Sequence, residues 1–350
     1  MSETATRTRD VLDVASPQAS GPLIDTFGRT ISYLRLSVTD RCDLRCTYCM
    51  PERMTFLPKR EVLSLEELHD LACGFIERGV TKIRITGGEP LVRRDIIGLF
   101  QSLGKRIGDG LEELTLTTNA TQLAGHAEAL FKAGVRGVNI SLDTLDRERF
   151  AELTRRDALP HVLDGIAAAQ EAGLKVKLNA VALKGINEHE LPDLIAWAHG
   201  QGLEVTLIEV MPLGDVEEER LDQYLPLSDV RERLEERWTL TDNAHNSGGP
   251  AHYVDVGETG GRLGFITPHT NNFCDGCNRL RVTATGQLYP CLGGGEQADL
   301  RAALRSDDPE GQLAAALDKT MLIKPERHHF RMDERGAEPH LPRHMSMTGG

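Results

Sequence analysis

The sequence predicts an α/β fold, a partial (βα)6 TIM-type barrel with a C-terminal extension closing its open side. Three observations carry that expectation. Apolar segments of period two alternate six times with amphipathic ones, without reversal, as in a parallel sheet with helical crossovers. Gly79, Gly134, Gly173 and Gly202 fall where each helix must turn back into a strand. Cys42, Gly88, Asn119, Asp143 and Met211 fall just past strand ends, where a barrel of this kind collects its chemistry.

In chain order, residues 1–20 are polar, lack the apolar core of a signal peptide, and are expected to form a disordered tail. Residues 31–38 alternate and read as the first strand. Ser64, followed three residues on by Glu67, offers a capping box that opens a helix ending near Arg78. Further strands are expected at 81–86, 114–117, 135–142, 175–182 and 204–210, with helices at 95–107, 123–133, 160–172 and 188–201. After Met211 the period breaks. Residues 215–245 look helical and acidic, 250–267 look like short strands, and 274–291 carry three further cysteines. The expected organisation is a tail at 1–20, the partial barrel at 21–214 and the extension at 215–350.

A net charge of -13 argues against broad nucleic-acid binding, which needs a basic field. It leaves room for one anionic small substrate held by a local cluster of cations. No apolar run approaches the length of a membrane span, so a cytoplasmic location without membrane association is expected. The seven cysteines are odd in number and tightly clustered, which fits reduced, metal-ligating thiols better than a disulfide framework.

Cys42, Cys46 and Cys49 have C-x3-C-x2-C spacing in one loop directly after the first strand. A four-iron cluster takes four thiolates, so three would leave one iron open to another ligand. The alternatives are a redox C-x-x-C, which has no use for Cys42, and a zinc site, for which the loop supplies no histidine as fourth ligand. Tyr48 adds a flat surface on which a purine could stack. The second set, Cys274, Cys277 and Cys291, could instead be a zinc knuckle completed by His269. Arg279 and Arg281, two residues apart on an expected strand, would project to one face as an anion site.

The loop Cys42–Cys49 with Tyr48 resembles the signature of radical S-adenosylmethionine enzymes, and Gly87-Gly88-Glu89-Pro90 resembles that family's second motif. The segment 273–292, together with Lys82–Pro90, Thr117-Thr118-Asn119, Asn139–Asp143 and the terminal Gly349-Gly350, is similar to one subfamily, the GTP 3′,8-cyclases. The resemblance implies two 4Fe-4S clusters, the first held by Cys42, Cys46 and Cys49 and the second by Cys274, Cys277 and Cys291. It implies S-adenosylmethionine at Tyr48, Gly88, Ser141 and Met211. GTP would be held by Arg35, Arg84, Thr117, Lys177, Arg279, Leu280 and Arg281, with Lys82, Gly349 and Gly350 as further candidates.

The implied reaction opens molybdenum cofactor biosynthesis. A one-electron cleavage of S-adenosylmethionine gives a 5′-deoxyadenosyl radical, which takes hydrogen from ribose carbon 3′ of GTP. The resulting carbon 3′ radical adds to guanine carbon 8, and a further electron and a proton then complete (8S)-3′,8-cyclo-7,8-dihydroguanosine 5′-triphosphate. No protein nucleophile is needed. An electron donor is required, the downstream partner would be cyclic pyranopterin monophosphate synthase, and a homodimer is compatible. Thr206 departs from the family, which typically carries Arg at that position. Two other readings remain open: a radical enzyme that modifies a peptide, and a non-enzymatic iron–sulfur or zinc protein. Cys73 reads as core and His328-His329 as surface, and Asp215–Glu219 reads as a solvated face. The Gly-rich stretch 257–264 is not a P-loop, so side-chain cations must grip any nucleotide.

Overall fold

A computed structural model describes residues 21–214, 216, 220–270, 273–328, 330 and 343–349. The expected tail at 1–20 and Gly350 lie outside the described residues, as do His329 and most of the acidic run at 215–219. Six parallel strands form the first half: β1 Tyr33–Ser37, β2 Lys82–Thr86, β3 Glu113–Thr118, β4 Gly137–Ser141, β5 Lys175–Ala182 and β6 Glu204–Glu209. Between and after them run the helices α1 Leu65–Glu77, α2 Ile96–Gly104, α3 Ala127–Lys132, α4 Arg147–Thr154, α5 Leu159–Glu171 and α6 Leu191–Gly200. The capping box at the start of α1 is formed in both directions, Ser64 Oγ accepting from Glu67 N at 3.1 Å and Glu67 Oε2 from Ser64 N at 2.7 Å. The four helix-closing glycines all adopt positive φ, between 71° and 95°.

The extension follows as α7 Arg220–Gln223, α8 Leu227–Glu235, β7 Leu240–Asn243, β8 His252–Val256 and β9 Gly261–Ile266. Then come β10 Arg279–Val282, β11 Gln287–Tyr289, β12 Ala298–Asp299, α9 Leu300–Leu304, α10 Pro309–Ile323 and α11 Met345–Thr348. All twelve strands join one sheet in the order β12-β11-β10-β1-β2-β3-β4-β5-β6-β9-β8-β7. The extension thus adds to both edges of the barrel rather than to one. Strand β10 pairs parallel with β1, and β9 pairs parallel with β6. The outermost strands β12 and β7 do not pair with each other, so backbone hydrogen bonds leave the barrel open. Among the described residues no helix is long and apolar enough to cross a membrane.

Side-chain alternation divides the sheet into two environments. Leu34, Leu36, Ile83, Ile85, Leu114, Leu116, Val138, Ile140 and Leu178 face the helices and are buried in one core. The intervening residues face the lumen, and there Arg35, Arg84, Asn139, Lys177, Asn179 and Thr206 stand where a closed barrel would stack branched aliphatics. Such a lumen cannot pack as a dry core.

The sequence carries no expectation of α4 within the barrel, nor of α9, α10 and α11 in the extension. Helix α4 is polar and weakly amphipathic, and it merged with the expected loop before α5. Its signals were the N-cap Asp146, whose Oδ1 accepts from Arg149 N at 2.8 Å, and the i, i+3 pair Phe150 and Leu153, both buried. The helix matters because its C-terminal end holds the first cysteine loop. Thr154 O accepts from Arg45 N and Leu153 O from Thr47 N, each at 2.9 Å. Replacing the cap, Asp146→Ala, should lower stability by about 1 kcal/mol. Urea unfolding followed by circular dichroism checks it, and an unchanged midpoint would show that the cap does not hold α4.

Candidate active site

The lumen contains two adjoining cavities that share Asn179, Ile208, Met211 and Met345 on their walls. The first, at the C-terminal ends of the strands, is lined by Cys42, Cys46, Cys49, Tyr48, Gly88, Asn119, Ser141 and Asp143. Close approach of chains fixes Gly88: a Cβ there would sit 2.5 Å from the Arg41 carbonyl oxygen. The loop is further held by Asp43, which accepts from Asn119 Nδ2 at 2.7 Å and Thr121 Oγ1 at 2.6 Å. Asn119 Nδ2 also lies 3.7 Å from Cys42 Sγ. Tyr48 donates its hydroxyl to Asp143 at 2.6 Å, which leaves the ring as its contribution to the cavity.

The electrostatics of this end are those of a dry pocket. Burial, then Glu89, pushes the Cys42 thiol far up, and burial with Cys49 does the same to Cys46. Uncoordinated, these thiols stay protonated, and a metal must displace the protons. Asp143 is pushed up to about 6 by burial, against the bonds from Tyr48 and Val181 N. The donor set is all sulfur, which suits an iron–sulfur cluster. Among the described residues no three His, Cys, Asp or Glu side chains are arranged to hold one metal ion.

The second cavity is lined by Arg35, Arg84, Lys177, Arg279, Arg281 and, at its far end, Cys274, Cys277 and Cys291. Strand register explains the cation cluster. Arg281 pairs with Arg35 across β10–β1, and Arg35 pairs with Arg84 across β1–β2, giving three guanidiniums in one rung. The next rung holds Arg279, Tyr33 and Lys82. Arg35 Nε, Arg84 Nε and Arg281 Nη1 are buried without a hydrogen-bond partner. Burial, then Arg281, holds Arg35 well below the usual guanidinium range, and burial with Arg279 brings Arg281 down to about 10. Burial alone would raise the Tyr33 phenol, yet Arg84, Arg35, Lys82 and Arg279 around it bring it below its ordinary value.

Around the second cysteine set, burial opposes ionisation of Cys277, but Lys324 and Arg279 overcome it and bring the thiol down to about 7. Arg29 ties the Cys274 loop to the segment after α10, donating to Cys274 O at 2.9 Å, Glu326 O at 2.7 Å and Pro325 O at 2.7 Å. His269, the fourth ligand of the zinc-knuckle alternative, has its Nε2 3.0 Å from Val210 O, its backbone N–H donating to Glu209 and its ring packed on Tyr224, and it does not line the cavity that holds the three thiols.

Three residues that the resemblance implied for GTP, Leu280, Thr117 and Lys82, do not line the arginine cavity. Leu280 is fully buried in the core between the two lumen-facing arginines, so its side chain does not reach the cavity. Thr117 opens on the first cavity beside Ser141, not among the arginines, and its Oγ1 has no partner. Lys82 lines neither cavity: it pairs with Glu113 at 2.7 Å and donates to Ser247 O at 3.0 Å. Lys177 donates to Tyr253 OH at 2.6 Å, and Tyr253 OH in turn donates to Ser247 Oγ at 2.8 Å. Gly349, with φ 72°, lies against Thr86, where a Cβ would collide with the threonine hydroxyl. Met345 lines both cavities, and Ser346, which reaches the first, is buried. Thr206 is buried in a rung with Asn179 and Gly264, its Oγ1 unpartnered.

Residues 36–198 match the Radical SAM superfamily, and residues 203–330 match the family described as Molybdenum Cofactor Synthesis C. A GTP 3′,8-cyclase of Erythrobacter litoralis (strain HTCC2594) is 73% identical over 332 residues, covering 95% of this chain and 100% of its own. The chain belongs to the GTP 3′,8-cyclase family. A second relative, the GTP 3′,8-cyclase of Rhizobium etli (strain CIAT 652), is 58% identical over 338 residues, covering 96% of this chain and 97% of its own. Among solved structures, Streptococcus suis SuiB bound to S-adenosylmethionine superposes with a TM-score of 0.57 at 16% identity, over 87% of this chain and 78% of that one. That likeness carries the fold. As a radical SAM family member the chain is expected to use a 4Fe-4S cluster and S-adenosylmethionine, and the thiol set at Cys42, Cys46 and Cys49 fits the cluster.

Glu89, fully buried beside the first loop, accepts from Asn119 N at 2.6 Å, Thr118 Oγ1 at 2.8 Å and Leu91 N at 2.9 Å. Burial outweighs these bonds and pushes its carboxyl from 4.5 to about 7. The folded chain therefore keeps a proton that the unfolded chain releases. Its contribution is complete at pH below the unfolded value and is lost as pH rises through the folded one. In the metal-free protein, the stability difference between wild type and Glu89→Gln should fall by about 3 kcal/mol over that window. Denaturant titrations at a series of pH values check this, and a difference that stays flat contradicts it.

Proposed function

We propose that the chain converts GTP to (8S)-3′,8-cyclo-7,8-dihydroguanosine 5′-triphosphate, the first step of molybdenum cofactor biosynthesis. The observation that carries this reading is a lumen of two adjoining cavities, each with a three-cysteine set on its wall, and a rung of three arginines lining the second. Membership of the GTP 3′,8-cyclase family supports it.

Bound at the first site, a 4Fe-4S cluster and S-adenosylmethionine supply one-electron cleavage of the sulfonium and abstraction of a hydrogen atom. Cys42, Cys46 and Cys49 would hold that cluster. Gly88 would offer its backbone to the methionyl end, with Ser141, Met211 and the Tyr48 ring around the adenosine. Arg35, Arg84 and Arg281 would take the triphosphate, whose charge answers their buried, unpartnered donors. Arg279 would extend that grip toward the second cysteine set. Lys177, braced by Tyr253, would stand at the opposite wall. Thr117 is better suited to the junction with the first cavity, and Lys82 to bracing Ser247, than to direct phosphate contact.

Cys274, Cys277 and Cys291 would hold a second four-iron cluster, again one thiolate short of four, which would leave one iron open to another ligand. Ile208, Met211 and Met345 at the junction of the cavities would keep water from the reacting carbon atoms. The protein's task is then orientation, holding ribose and adenosyl group in near-attack contact. A lumen walled by cations suits an anionic small molecule better than a peptide. Thr206 stands where the resemblance implied an Arg, and the arginine rung would bear the phosphate charge without it.

Anaerobically reconstituted protein with a reductant and S-adenosylmethionine, with and without GTP, tests the reading by mass spectrometry. The expected result is a GTP-derived isomer of unchanged elemental composition, formed together with 5′-deoxyadenosine. Release of 5′-deoxyadenosine that ignores GTP, with GTP recovered intact, would end it.

A further inference from the structure

A buried lysine reaches the second cysteine set from behind. Lys324 follows the last turn of α10 and is 3% exposed. Its Nζ lies 3.6 Å from Cys277 Sγ and donates to Pro290 O at 2.7 Å and Arg279 O at 3.2 Å. These partners are two carbonyls and a thiol, none of them a carboxylate. Lys324 is not part of the lumen wall, so substrate does not reach it, in contrast to Arg279 and Arg281. The segment is held in place as well. The next two carbonyls, of Pro325 and Glu326, accept from Arg29, which also grips Cys274 O.

Carbonyl oxygens solvate an ammonium but do not neutralise it, and a buried unpaired charge costs several kcal/mol. The nearest groups able to supply the missing negative charge are thiolates of the cysteine set itself. We propose that Lys324 is the fixed counter-charge of the second iron–sulfur site, offsetting one of its thiolates and making the cluster easier to reduce. The proposal rests on the second-cluster reading above. Its physical basis is simple: reduction adds an electron to the cluster, and a cation beside a ligand sulfur favours the more negative state. Hydrogen bonds to sulfur and net charge are the levers by which proteins set such potentials.

The test compares anaerobic wild type, Lys324→Met and Lys324→Arg by iron and sulfide content and by potentiometric titration followed by electron paramagnetic resonance. The second site's signal is the one that survives Cys42→Ala and disappears in Cys277→Ala. Lys324→Met is expected either to keep about eight irons with that signal's midpoint shifted negative, or to lose the four irons of the second site. Lys324→Arg, which keeps the charge, should retain both clusters and a midpoint near wild type. Full iron with an unchanged midpoint in Lys324→Met overturns the proposal, as does Lys324→Arg behaving like Lys324→Met. Wild type holding only about four irons would overturn the second-cluster reading itself, and the iron count alone distinguishes that outcome.

Discussion

Three arginines side by side on neighbouring parallel strands, facing a lumen, are the constraint on which the rest of this structure turns. Arg281, Arg35 and Arg84 share one rung of the sheet. Strands lie about 4.8 Å apart, and two like charges about 5 Å apart repel by roughly 3 kcal/mol at an effective dielectric near 20. Among the described residues none of the three makes an ion pair with a carboxylate, and each keeps a buried nitrogen without a hydrogen-bond partner. Folding alone gains nothing from that arrangement. A polyanion entering the lumen would turn the repulsion into attraction and satisfy the donors in the same step.

The topology is arranged to bring this about. Arg35 and Arg84 belong to the first two strands, but Arg281 arrives on β10, nearly 250 residues later by sequence number, through parallel pairing with β1. The same strand follows directly on Cys274 and Cys277, so the pairing that completes the rung also sets the second cysteine set at the end of the lumen. On the opposite edge, β9 pairs with β6 and carries β8, whose Tyr253 braces Lys177. Both edges of the six-stranded sheet are thus finished by the extension, and each finishing strand brings a piece of the site. This explains why a barrel left open by backbone hydrogen bonds still has a walled interior.

Much of this was legible in the sequence where the signal was local. Alternation marked the strands, Ser64 and Glu67 marked a helix start, and the four closing glycines took the positive φ expected of them. Cysteine spacing and the Arg279, Arg281 pair pointed to one lumen. What escaped was either weakly patterned or long-range. Helix α4 lacks a strong apolar stripe. The attachment of β10 and β9 to opposite edges is a matter of pairing between distant segments, which local periodicity does not encode. Leu280 was grouped with its neighbours by resemblance, although a period of two turns it to the core. Asn179 follows from that same period, two residues beyond Lys177, and joins the two cavities. Nothing local in the sequence marks Lys324, and only burial beside Cys277 singles it out.

The arginine rung has a use only if it holds phosphate. Calorimetric titration of the protein with GTP and with guanosine, at low ionic strength, in wild type and in Arg35→Met, tests that most directly. The predicted result is tight binding of GTP, weak binding of guanosine, and loss of most of the difference when the central arginine is removed. Guanosine binding as tightly as GTP, or GTP binding unaltered in Arg35→Met, would contradict it.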